Sequence, residues 1–271
     1  DRIRGLCCRV DERGAVVVVE LQGSKFATDL IIVHELTHAL HNQHRDLRPQ
    51  PAPPAESPYP AVAAFEGVPQ FVAFNFMRTG SDEDQAAVEP DLPIVPDAMS
   101  DLVLPSTARH LNFAYATGPE FVAAIVEQQG ADGLAQVLKS PPTTTEQVMF
   151  PEKYLAGEQA QVVETPEVPA LARRVGGGRI GAAMFWFLLA EQHGDQAALA
   201  MVEPWAGDSS VIYELDDQLC LTAVIAMDSD DAAVTFGELL GAALLNADPN
   251  ASVELGDRSG GLIDVTVCHA T

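Results

Sequence analysis

The chain has 271 residues, 47% of them hydrophobic, enough for one large or two modest buried cores and too apolar for a disordered polymer. Asp and Glu number 39 against 15 Lys and Arg, a formal charge of -24, which repels phosphate backbones and anionic membrane surfaces and argues against nucleic acid as a partner. The longest apolar run, Ile180 to Ala190, is about half of what a bilayer-spanning helix needs, so no membrane span is expected.

In chain order, Ile3 to Val10 and Ala15 to Leu21 are β-favouring runs around Asp11-Glu12-Arg13-Gly14, which predicts an N-terminal β-hairpin. No signal peptide opens the chain, because Asp1-Arg2-Ile3-Arg4-Gly5 leads straight into that strand-like segment, and a secreted chain would start here after a processed leader. Gln22-Gly23-Ser24 breaks the strand. A helix is predicted next, capped at Thr28 or Asp29, with Leu30, Ile31, Val33 and Leu40 as its apolar body and an end near His44.

That helix carries His34-Glu35-Leu36-Thr37-His38. Histidines four apart on a helix stand one above the other on one face, so both imidazoles reach a single ion, which is half of a tetrahedral zinc site. The glutamate one position on lies beside that face, where it can touch an attacking water without binding the metal. The spacing therefore supplies two ligands, His34 and His38, and a general base, Glu35.

Six prolines between His44 and Ala61 predict an extended surface loop. A second apolar helix begins near Pro60, and Glu66 is its only charged residue from Ala61 to Met77. An unpaired carboxylate there is costly to bury, and a zinc ion explains it; an arginine partner or solvent is the competing account. Pro69 predicts a kink or restart just beyond Glu66. Gly80 to Pro105 reads as an acidic surface excursion, Phe113 to Gln129 and Ala131 to Lys139 as helices broken at Gly130, and Pro141 to Gln147 as a sharp loop with a capping-box continuation. Gly157 to Leu171 is an acidic connector.

Beyond it, helices are predicted over Arg179 to His193 and Asp195 to Glu203, strands near Ser210-Leu215 and Leu219-Met227, a helix over Asp230-Leu245, and strands near Ser252-Leu255 and Ile263-Cys268. The pattern is α+β: a mainly helical domain over residues 1–170, then residues 171–271 as a small antiparallel sheet with helices on one face. Of the four cysteines, Cys7 and Cys8 are adjacent, while Cys220 and Cys268 fall in predicted strands and are either bridged or two buried thiols. None has metal-knuckle spacing.

His34-Glu35-Leu36-Thr37-His38-Ala39-Leu40, Phe65-Glu66-Gly67, and the Pro141-to-Gln147 and Phe150-to-Tyr154 segments together resemble a group of secreted bacterial and archaeal zinc metallopeptidases of minimal gluzincin type, the zincin class that includes thermolysin. The likeness covers the chain to about Trp205. It implies His34, His38 and Glu66 as zinc ligands, Glu35 as base, peptides as substrates and an extracellular or cell-envelope location. Two positions depart from the pattern: Gln70 stands where thermolysin-like enzymes have an aspartate, and Phe150 where related sequences commonly have a histidine. A rival third ligand is His44, since His34, His38, His41 and His44 nearly match the metzincin pattern, but a straight helix carries His44 about 15 Å along the axis from His34. Glu66 is therefore preferred. A transition-state oxyanion also needs a donor, and Tyr115, Tyr154 and His193 are the candidates. The alternatives are a non-catalytic zinc-containing surface or binding protein on the same scaffold, and a zinc hydrolase of non-peptide amides.

Overall fold

A computed structural model describes residues 25–44, 56, 59–86, 88, 105–258 and 260–270. The predicted N-terminal hairpin, Cys7 and Cys8, and almost all of the proline-rich loop lie outside them. The described chain is mixed helix and sheet, an α+β architecture, and falls into two compact units. One is drawn from Asp1–Gln50, Ala61–Asp97 and Asn112–Pro142, the other from Pro51–Pro60, Ala98–Leu111 and Thr143–Thr271.

The first unit is built on α1 (Lys25–His44), α2 (Tyr59–Met77), the short α3 (Asp82–Ala86) and α4 (Pro105–Lys139). α1 starts before the expected Thr28 or Asp29 cap, because Phe26 stacks on Phe76 of α2 at 5.7 Å and holds an extra turn in the helix. α2 neither stops nor restarts at Pro69: burial of Ala63, Ala64, Val68 and Ala73 along it outweighs the backbone hydrogen bond the proline removes. α4 begins earlier than the predicted Phe113 and, as expected, departs from helical geometry at Gly130 (φ 64°, ψ -150°), a conformation that glycine alone adopts without cost. α2 and α4 approach so closely that a Cβ on Gly67 would stand 2.5 Å from the carbonyl carbon of Gly118.

The second unit opens with α5 (Thr145–Met149) and α6 (Pro151–Leu155). Thr144 caps α5 by accepting from the Gln147 N–H at 3.1 Å, and the Gln147 side chain reaches back to accept from the Thr143 N–H at 2.8 Å, so the expected capping box forms with a one-residue offset. After the connector come β1 (Arg173–Gly178), α7 (Ala182–His193), α8 (Asp195–Val202), β2 (Trp205–Leu215), β3 (Gln218–Met227), α9 (Asp230–Ala247), β4 (Ser252–Arg258) and β5 (Leu262–Ala270). The strands form one antiparallel sheet in the order β1-β2-β3-β5-β4. Ala223, Ile225 and Met227 alternate along β3, as do Ile263 and Val265 on β5. All five pack against Phe185 and Leu189 of α7, Val202 of α8, and Phe236 and Leu240 of α9.

Three features of this unit differ most from the sequence reading. β1 was not expected, since Arg-Arg-Val-Gly-Gly-Gly has no alternating pattern and is exposed throughout; backbone pairing to β2 alone makes it a strand. β2 begins at Trp205, ahead of the expected Ser210, because the polar stretch Gly207-Asp208-Ser209 pairs across β3 in spite of its composition. α7 begins at Ala182 and leaves out Arg179: the buried Asp208 carboxylate accepts the N–H groups of Ile180 at 2.6 Å and Gly181 at 2.9 Å and keeps them outside the helix. Cys220 and Cys268 face each other across β3 and β5 and form a disulfide. Among the described residues no helix is long and apolar enough to cross a membrane.

Candidate metal centre

Helix periodicity places His34 and His38 on one face of α1, and the packing of α2 brings Glu66 to the same point. The two imidazole Nε2 atoms are 3.2 Å apart, and Glu66 Oε2 lies 3.2 Å from the Nε2 of His38 and 3.4 Å from that of His34. All three side chains are largely buried, with 12%, 5% and 15% exposure for His34, His38 and Glu66. Among the described residues this is the one group of three His, Cys, Asp or Glu side chains arranged to hold an ion.

The triangle matches a metal. A tetrahedral zinc with bonds of about 2.0–2.1 Å keeps its donor atoms about 3.3–3.4 Å from one another, and the three edges here are 3.2, 3.2 and 3.4 Å. Neutral imidazoles and a carboxylate turn lone pairs toward that centre, and converging lone pairs repel unless a proton or cation stands among them. Two imidazole nitrogens and one carboxylate oxygen are also a donor set that zinc accepts. Where a proton rather than a cation stands among them, burial works against ionisation of Glu66, but hydrogen bonds donated by His34 and His38 outweigh it and hold the carboxyl down at about 2. The packing of α2 against α1 thus brings Glu66, His34 and His38 together as a group that could hold an ion.

Around this centre, Phe65 stacks on His38 with ring centroids 4.6 Å apart, and Tyr115 of α4 lies against His34 at 6.3 Å with the rings 20° from parallel. Tyr115 is therefore brought to the cluster, whereas Tyr154 on α6 and His193 at the end of α7 belong to the second unit, where Tyr154 is half-buried and His193 exposed. Glu35 is half-buried on α1, one position past His34. His41 is half-buried too; burial first, and the neighbouring His38 second, push it down to about 4, so it is neutral in ordinary buffers. The side chain of His44, the rival ligand, lies outside the described residues. Gln70, one turn beyond Glu66, is half-buried, and the Nδ1 of His38 has no hydrogen-bond partner among the described residues.

Sequence reasoning assigned no role to Phe65 or Gly67. Their signal was a place beside Glu66 in the Phe65-Glu66-Gly67 segment that carries the resemblance: one supplies a ring to His38, and the other lets α2 reach the helix beside it. No protein-family model, curated protein or solved structure matches this chain.

Proposed function

We propose that this protein is a zinc-dependent metallopeptidase of gluzincin type that hydrolyses peptide bonds with Glu35 as general base. The observation that carries the reading is the triangle of His34 Nε2, His38 Nε2 and Glu66 Oε2, whose edges suit one tetrahedral ion, with a glutamate next to the first ligand in the chain. Among the described residues the group offers three protein donors, the number that catalytic zinc keeps. When bound, zinc supplies Lewis acidity, polarising a carbonyl and acidifying water.

The chain's own residues do the rest. His34, His38 and Glu66 hold the ion, and their burial keeps competing water away. Glu35 takes a proton from the attacking water as its oxygen bonds to the carbonyl carbon, and passes that proton to the amine nitrogen as the carbon–nitrogen bond breaks. Of the three candidate oxyanion donors, Tyr115 is the one that lies in the same unit as the cluster, with its ring 6.3 Å from that of His34. The Cys220–Cys268 disulfide supports an oxidising, extracellular or cell-envelope setting.

The test is cleavage of a mixed peptide library by zinc-loaded protein beside Glu35→Gln of equal zinc content. The expected result is cutting by the wild type and a loss of at least about a hundredfold in the variant. If both hold one zinc and neither cuts, the peptidase reading fails and a non-catalytic zinc protein on the same scaffold takes its place. Gln70, standing where thermolysin-like enzymes have an aspartate, is the observation that favours this second reading.

A further inference from the structure

A ligand imidazole has to be held in one orientation and one tautomer, and a hydrogen bond from its second nitrogen to a carboxylate or carbonyl commonly does both. Among the described residues His38 lacks that device. Its Nδ1 is buried and has no hydrogen-bond partner among the described residues, while its Nε2 stands 3.2 Å from both His34 and Glu66. What lies against the ring instead is Phe65, at 4.6 Å between centroids and 29° between planes. Phe65 directly precedes Glu66 on α2, so one turn of helix delivers a carboxylate to the centre and an aromatic face to the imidazole of α1.

We propose that Phe65 is a positioning residue for His38, its ring fixing the imidazole by stacking where a hydrogen bond to Nδ1 would otherwise do so. The proposal rests on the reading of His34, His38 and Glu66 as metal ligands. An imidazole that donates density to a cation becomes electron-poor, and the face of a benzene ring then attracts it more strongly. The stack therefore tightens when the centre is loaded and matters less when it is bare. With no acceptor for Nδ1 among the described residues, His38 is also a weaker donor than a histidine paired with a carboxylate, which lowers metal affinity and leaves the cation a stronger Lewis acid.

The experiment uses the full chain, stripped with a chelator and titrated with Co2+, whose visible bands report ligand geometry, and with Zn2+ in competition with a chromophoric chelator. Wild type is compared with Phe65→Leu, Phe65→Met, Phe65→Tyr and His38→Ala, and the fold of each metal-free protein is checked by circular dichroism. The leucine and methionine variants are expected to lose about tenfold or more in affinity for both ions and to shift the Co2+ bands, while the tyrosine variant keeps both near wild type. A folded Phe65→Leu or Phe65→Met with unchanged affinity and spectrum overturns the proposal. If neither variant folds, the wild type decides: ring-current shifts from Phe65 should move the carbon-bound ring protons of zinc-loaded His38 upfield, and their absence overturns it equally. A wild type that takes up no Co2+, or a His38→Ala that binds as tightly as wild type, instead overturns the metal-centre reading itself.

Discussion

Replacing Glu56 by glutamine should change the pH dependence of stability in the second unit. Glu56 is 3% exposed, its Oε2 accepts the Thr145 N–H at 2.6 Å, and its Oε1 has no partner among the described residues. Burial pushes the carboxyl up from 4.5 to about 8; the Thr145 hydrogen bonds and Arg179 pull the other way, and Asp208 adds to the rise. Below pH 4.5 folded and unfolded chains both carry the proton. Between 4.5 and about 8 only the folded chain keeps it, so stability falls as pH rises, by about 1.4 kcal/mol per pH unit, and levels off above the folded value. Glutamine keeps the oxygen that accepts from Thr145 and has no proton to lose. The stability gap between Glu56→Gln and wild type should therefore widen in favour of the variant by about 3 kcal/mol from pH 5.5 to 8. Glu146, raised to about 7 first by its own burial, titrates in both proteins and cancels in the difference. Urea unfolding followed by tryptophan fluorescence reads the right unit, since both tryptophans, Trp186 and Trp205, lie in it. A gap that stays constant with pH would show that Glu56 is already ionised in the fold and would refute the reasoning.

Gly67→Ala should cost about 1–3 kcal/mol and weaken zinc binding, because the added Cβ meets the Gly118 backbone at 2.5 Å and must push α2 away beside Glu66; melting temperature and zinc competition check both, and a neutral result sinks the close-packing account. Lys153→Met should destabilise by about 3–5 kcal/mol, since Lys153 Nζ is 2.5 Å from the Glu146 carboxylate, which is only 3% exposed and would be left without its cation. Chemical denaturation measures it, and a further Glu146→Leu change should restore much of the loss. Removing the Cys220–Cys268 disulfide by a double serine substitution opens the loop it closes in the unfolded chain, and for a separation of 48 residues the chain-entropy argument gives a loss of about 4 kcal/mol. Equal stability of oxidised and reduced wild type would contradict that figure.

Local chemistry by itself determined much of this protein. The four-residue spacing of His34 and His38 put both imidazoles on one helix face whatever α1 packs against. Glycine at 130 broke α4, Thr144 and Gln147 capped α5, and alternating apolar residues made β3 and β5 strands, because each of these depends on neighbours in sequence. Tertiary structure decided what depends on partners far along the chain. Phe76 holds the first turn of α1 through Phe26, and a buried α2 keeps its helix through Pro69. Pairing to β2 makes a strand of glycines and arginines in β1, and Asp208 holds Ile180 and Gly181 out of α7. At the candidate site the same division holds: the lone charge on α2 marked Glu66 as a residue in need of a partner, but only the approach of α2 to α1 sets it 3.2 Å from His38 and lays Phe65 on that ring. A helix carries its own periodicity in its sequence, whereas the face it meets is chosen by surface buried elsewhere.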